Sequence, residues 1–193
     1  MAAGQVKTGF SKPYVAKYAN TDTTVTYSQG QILARGVSVS VSPETSDDNN
    51  FYADNTIAET EAGVFTGGEV TLTVDGLLPA AEKLIMGLPE AGSDGFVPYG
   101  DDQVIPYCGV GFIVRNQSGG VVSYQAVVFP KVVFQIPSLD AATQEDTIDW
   151  QTQELTATIL RADDAKRNWK YVGGSQTTEA AAEDDLKGFF GIS

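Results

Sequence analysis

The stretch from Gly67 to Leu88, GGEVTLTVDGLLPAAEKLIMGL, changes its apolar period halfway, and this constrains the fold more than any other feature of the chain. Val70, Leu72 and Val74 alternate with Glu69, Thr71 and Thr73, the period of a strand with one packed face and one wet face. From Leu77 the spacing turns helical. Leu77, Ala81, Leu84, Ile85 and Leu88 share one stripe, Pro79 suits a first turn and Gly87 a terminator, which predicts a helix over 77–87. The simplest way to bury both stripes is an antiparallel sheet with the helix lying against it.

Other segments carry the same alternation. Val37, Val39 and Val41 alternate with Ser38, Ser40 and Ser42, so this strand has a second face of small hydroxyls. Gly109 to Arg115 and Val121 to Pro130 read as strands joined by a turn at Asn116, Gly119 and Gly120. Lys131 to Ile136 continues after Pro130, which marks a bulge or a bend at an edge. Trp150 to Leu160 is a long strand whose second face again carries hydroxyls, Thr156 and Thr158 among them. Trp169 and Tyr171 anchor a surface excursion. A last helix spans Glu179 to Phe190, with Ala182, Leu186, Phe189 and Phe190 on one face and Glu183 four residues before Lys187.

Between these elements the pattern loosens. Residues 1–30 read as an arm with one short strand at Val25 to Tyr27, because Gly4, Gly9, Pro13 and the run ANTDTT interrupt the anchors Phe10, Tyr14, Val15 and Tyr18. The main domain is then 31–172, and 173–193 holds the last helix and a tail. Residues 43–66 form a long acidic loop, only locally apolar, of the kind that reaches out to a partner. Asp47, Asp48, Asn49, Asn50, Asp54 and Asn55 resemble a calcium loop in composition but not in spacing, so turns bonded by their own side chains are the better reading. PEAGSDGFVPYGDDQVIPY is an exposed loop tacked down by Phe96, Val97 and Tyr99, and SLDAATQEDTID is an acidic linker.

Composition matters through what it excludes. Twelve Lys and Arg against 25 Asp and Glu leave a net charge of -13, a surface that repels nucleic acid and anionic membrane. There is no histidine, which removes the commonest general base, the Ser-His-Asp triad and the usual zinc sites. Cys108 sits in an apolar run with no basic neighbour and reads as a buried, inert thiol. Neither GGEVTLTV nor YCGVGF is a phosphate loop; Gly109 and Gly111 allow close backbone approach within a sheet. The adjacent acids Asp101 and Asp102, Asp163 and Asp164, and Asp184 and Asp185 diverge in either regular structure, so they are poor candidates for a glycosidase pair. No enzyme, cofactor or metal is expected. The start, MAAGQVKTGF, has no apolar signal core, so synthesis in a cytoplasm is expected.

Six motifs in order carry a family resemblance: YVAKY; QGQILARGVSVSVSPETSDDNNFYADNTIAET; FTGGEVTLTVDGLLPAAEKLIMG; VIPYCGVGFIVRN; YQAVVFPKVVFQIPS; and QTQELTATILRADD. Over roughly Tyr14 to Trp169 the chain resembles the major tail protein, or tail tube protein, of long non-contractile-tailed bacteriophages. The resemblance implies a mainly β fold, a β-sandwich of barrel-like tail tube type with a packed α-helix and long loops. It implies hexameric rings whose inner sheets join into one lumen, stacked into a tube that conducts DNA without binding it specifically. It also implies tape measure, distal tail and tail terminator proteins as partners, no membrane binding, and a place in the virion tail after assembly in the host cytoplasm.

On this reading Gln31 to Ser42 pairs with Gly68 to Asp75 as one inner hairpin, and Val121 to Ile136 pairs with Trp150 to Leu160 as the other. Ser38, Ser40, Thr71, Thr73, Thr156 and Thr158 line the lumen, with Glu69, Glu154 or loop acids supplying its charge. Glu44, Asp47, Asp48, Phe51, Tyr52, Asp54, Glu59 and Glu61 belong to a loop between rings, and the first helix braces the outside. The alternative is a surface β-sandwich that binds a receptor or glycan, for which Trp150 and Trp169 are the tryptophan candidates.

Overall fold

The chain is described by a computed structural model over residues 4–101, 103–139 and 151–192. Ten strands and two helices follow one another as β1 (Val6–Thr21), β2 (Thr24–Ile32), β3 (Gly36–Thr45), β4 (Asn49–Ala53), β5 (Thr56–Glu61), β6 (Phe65–Val74), α1 (Pro79–Met86), β7 (Cys108–Ser118), β8 (Val121–Phe134), β9 (Gln153–Leu160), β10 (Tyr171–Val172) and α2 (Glu179–Phe190). The protein is mainly β and β-sandwich-like, as the sequence predicts. One antiparallel sheet has the order β2-β1-β7-β8-β9-β6-β3, with β10 also on β8, and β4 pairs with β5 separately.

The sheet folds over on itself at β8. Its register with β7 slips between Val110↔Phe129 and Cys108↔Val132, and Pro130, which has no N–H to give, sits in the slip. Beyond it, Lys131 to Phe134 pair with β9, while Val127 and Val128 pair with β10. The bulge is as expected; the position is internal rather than at an edge. The two halves enclose one core in which Val15, Val110, Phe112 and Phe129 meet Val70, Leu72, Leu155 and Ile159, all essentially without solvent exposure. α1 closes this core with Ala81, Leu84, Ile85 and Met86, starting on Pro79 and ending at Gly87 in the left-handed conformation.

A second, smaller core lies on the outer face of β7 and β8, where α2 lays Ala182, Leu186 and Phe190 against Tyr14, Ala16, Ile113, Ala126 and Val128. Gly109 and Gly111 lie beneath this helix. A Cβ on Gly109 would stand 2.6 Å from both the Phe190 and Tyr27 rings, and one on Gly111 would stand 2.3 Å from Leu186. The close approach they permit is therefore by a helix, not within the sheet. Thr178 caps α2, and Glu183 takes bonds from Lys12, from the Tyr14 hydroxyl at 2.6 Å and from Lys187 at 3.2 Å. Burial pushes the Glu183 carboxyl up, but these donors outweigh it and hold its pKa at about 2.

Three expectations need correction. The N-terminal 30 residues are not an arm: β1 is a sixteen-residue strand paired on both sides, to β2 and β7. It is buried on both faces, Val15 facing the main core and Tyr14 and Ala16 facing α2, and bulges at Ser11/Tyr14 and Val15/Lys17 disrupt its period. Residues 43–66 are not a loop but the ends of β3 and β6 with the β4–β5 hairpin between them. Phe96 and Val97 have exposed side chains, Phe96 by 75%; Tyr99 does hold this loop, by donating to Glu82, and Gln103 adds a bond to the Met86 carbonyl. Most of the SLDAATQEDTID linker and Trp150 lie outside the described residues, and β9 is described from Gln153.

Candidate functional site

The six hydroxyl residues singled out from the sequence fall on one face of three adjacent strands, and the register lines them up. Ser40, Thr71 and Thr156 form one row across β3, β6 and β9; Ser38, Thr73 and Glu154 form the next; Ser42, Glu69 and Thr158 form a third. Ser38 Oγ donates to Thr73 Oγ1 at 2.9 Å, so neighbouring hydroxyls satisfy one another across the strands. The reason is the strict two-residue period of all three strands: every residue between these points into the core, with Val70, Leu72, Val74, Leu155, Ala157 and Ile159 fully buried. β8 extends the face, since Val133 pairs with Thr158 and the Gln135 N–H reaches the Thr156 carbonyl at 2.9 Å. Ser42 completes the V-S-V-S run and was legible from the sequence; Val133 and Gln135 were not, because only the pairing of β8 with β9 brings them here.

The charges on this face are carboxylates. Glu69 and Glu154 lie on neighbouring strands two rows apart, about 14 Å along the sheet. Their backbones are thus set wider apart than the roughly 5–9.5 Å that separates the two carboxylates of glycosidases. Lys131, on β8, has its ammonium on Asp163 at 2.7 Å and on the Tyr107 ring at 4.4 Å.

The second feature is the ribbon that prolongs β3 and β6. At its base Ser46 and Val64 exchange bonds through backbone and side chain, and the Asp48 carboxylate accepts from the Gly63 N–H at 2.8 Å. Asp54 and Asn55 make the tip, both with positive φ as a two-residue type I′ hairpin turn requires. Of the expected loop residues, Glu44 belongs to β3, Asp47 and Asp48 to the base, Phe51 and Tyr52 to β4, Asp54 to the tip, and Glu59 and Glu61 to β5. Tyr52 stands opposite Ile57 and Phe51 opposite Glu59. Phe51, Tyr52 and Ile57 are 65%, 62% and 54% exposed, a conspicuous apolar surface on a two-stranded element that would be marginal by itself.

A third feature is an open cleft of about 660 Å³ where β3, the last strand of the sheet, comes back beside β1 without pairing to it. Phe10 and Gly36 set the approach: a Cβ on Gly36 would stand 2.2 Å from the Phe10 ring.

The reactive groups are otherwise committed. Asp163 accepts from Lys131 and Tyr18 while Asp164 accepts from Tyr171 and Asn168, so the adjacent acids face apart. Cys108 is fully buried, and burial pushes its thiol up to about 12. Trp169 is spent on packing, stacked on Phe65 with centroids 4.3 Å apart. No family model matches the chain, and comparison with curated proteins finds no match.

Proposed function

We propose that this chain is a structural virion protein that self-assembles into stacked rings, hexameric by family resemblance, to form the tail tube of a long non-contractile-tailed phage. The observation that carries the reading is the three-strand register that gathers Ser38, Ser40, Thr71, Thr73, Thr156 and Thr158 into one smooth face whose charges are Glu69 and Glu154. On β3, β6 and β9 such a face has no cation to hold a polyanion, and Lys131 on the adjoining β8 is already paired with Asp163. β3, β6, β9 and the end of β8 make a wall about 19 Å wide, so six copies would close a circumference of about 115 Å and a bore of about 37 Å, wide enough for duplex DNA. The exposed aromatic ribbon supplies what stacking needs, an apolar projection that is stabilised only by a neighbour. Tape measure, distal tail and tail terminator proteins are the partners this role implies, and the virion tail its location.

The test is assembly of the purified chain followed by negative-stain electron microscopy. Rings or hollow tubes are expected, and removal of residues 47–62 with a short turn in their place should abolish tubes while the main core still melts cooperatively. Strict monomers over a wide concentration range, together with unaltered tails in phage carrying the ribbon deletion, would end the proposal.

A further inference from the structure

We propose that the cleft between β3 and β1 is the socket for the β4–β5 ribbon of a second copy of this chain, an acidic aromatic hairpin entering an apolar slot rimmed by Lys7 and Lys170. The proposal rests on the self-assembly reading above and adds the surface that receives the ribbon. The socket walls are mainly apolar: Phe10, Val39, Val41, Phe112 and Val127 line them beside Asn116, which donates to Gln125, and Val37 and Val172 at the mouth are more than half exposed. Its β3 wall ends the sheet, so the outer backbone edge of that strand has no strand partner among the described residues.

The rim is cationic. Lys12, Lys83, Lys131 and Lys187 all lie in ion pairs, whereas Lys7 and Lys170, like Lys17 and Lys166, lie in none among the described residues; of these four, Lys7 and Lys170 line the cleft, Lys170 near the Phe129 and Trp169 rings. They are close enough for the Lys7 charge to add to burial in holding the Lys170 ammonium below its ordinary pKa. In a chain of net charge -13, two neighbouring lysines without a carboxylate mark a place where an acidic group is to arrive.

The ribbon has the complementary chemistry. Between Arg35 and Lys83 the sequence contains no basic residue, while Asp47, Asp54, Glu59 and Glu61 surround the exposed Phe51, Tyr52 and Ile57. A molecule cannot fill its own socket in this fold. Val37, Val39, Val41 and Pro43 of β3 line the cleft, and the ribbon continues from the end of that same strand, leading onward from it. The contact is therefore between two different patches on two copies, the kind that propagates into rings or filaments instead of closing a dimer.

The experiment uses the full chain in sedimentation velocity over a concentration series. Two double variants are compared with wild type: Phe51→Ser with Tyr52→Ser in the ribbon, and Lys7→Glu with Lys170→Glu at the socket. Each alone should associate at least ten-fold more weakly than wild type, and mixing them should give a one-to-one complex that grows no further, because the first keeps a whole socket and the second a whole ribbon. Wild-type association by the socket variant would overturn the socket while leaving self-assembly intact. Failure of the mixture to form the one-to-one complex would overturn the pairing of ribbon with socket. A wild-type chain that is monomeric throughout would overturn the socket, and, together with unaltered tails in phage carrying the ribbon deletion, the self-assembly reading as well. If the charge reversals unfold the chain, Lys7→Gln with Lys170→Gln replaces them, and weaker wild-type association at high salt is then required as well.

Discussion

Glu183 ties the two ends of the chain together. It sits one turn into α2, yet Lys12 and Tyr14 from β1 converge on its carboxylate. Lys12 reaches it from a bulge where its own φ is +49°, a conformation that costs backbone energy unless surrounding contacts hold it. The carboxyl is depressed from an ordinary 4.5 to about 2, so its contribution to stability is fully present above about pH 4.5 and is lost as the pH falls toward 2. Glu183→Gln should cost on the order of 1–3 kcal/mol at neutral pH. The difference from wild type should shrink through that acid window, as followed by urea unfolding at a series of pH values. An undiminished difference at pH 2 would assign the cost to something other than ionisation. The helical pair of Glu183 with Lys187 is visible in the sequence as a four-residue spacing; the bond from Lys12, 171 residues away, is not, because no local pattern encodes it.

At the scale of elements, the strands that could be read from sequence are those with one dry and one wet face. β6 and β9 alternate cleanly because each is wetted on one side only, β3 alternates Val with Ser although its valines are only partly covered, and α1 and α2 were legible from helical stripes with Pro79, Gly87 and the acid at Glu179 as punctuation. β1 was not, since packing on both faces replaces alternation with the run Tyr14, Val15, Ala16 and its bulges shift the phase. The ribbon was hidden for the opposite reason: with no face in a core, Phe51, Tyr52 and Ile57 follow no burial period, and the turn at Asp54 and Asn55 was the available clue. The glycines of β7 mark where α2 docks, a relation visible only in three dimensions. Gly109→Ala forces a methyl between two rings from different elements and should destabilise the fold by about 1–3 kcal/mol in denaturant titration. The same change at Gly174, which has open space around it, is the control.

At the scale of the whole molecule, the hydroxyl face is the surface whose chemistry is most easily reversed. Thr71→Lys with Thr156→Lys puts two cations side by side in one row, without disturbing the residues that point into the core. Tubes should still assemble, but DNA should be retained on them at low salt and released as salt rises, in a filter-binding titration; phage carrying the pair should adsorb normally and deliver DNA poorly. Retention indistinguishable from wild type would mean that this face does not meet DNA. One further feature sets the timing of all this. β1 pairs with β7 across about 90 to 110 residues, as in the bond from Thr8 to the Arg115 carbonyl 107 positions later, and α2 at the far end then covers both strands. A chain emerging from the ribosome can therefore form the β1–β2 hairpin and the β3–β6 hairpin with its ribbon early, but β1 has no β7 to pair with until more than half of the chain has been made, and the cleft beside β1 takes shape later still. Closing so distant a ladder belongs to the slow, milliseconds-to-seconds class of folding, so under the proposed assembly a chain would present its ribbon long before it could offer a socket to another.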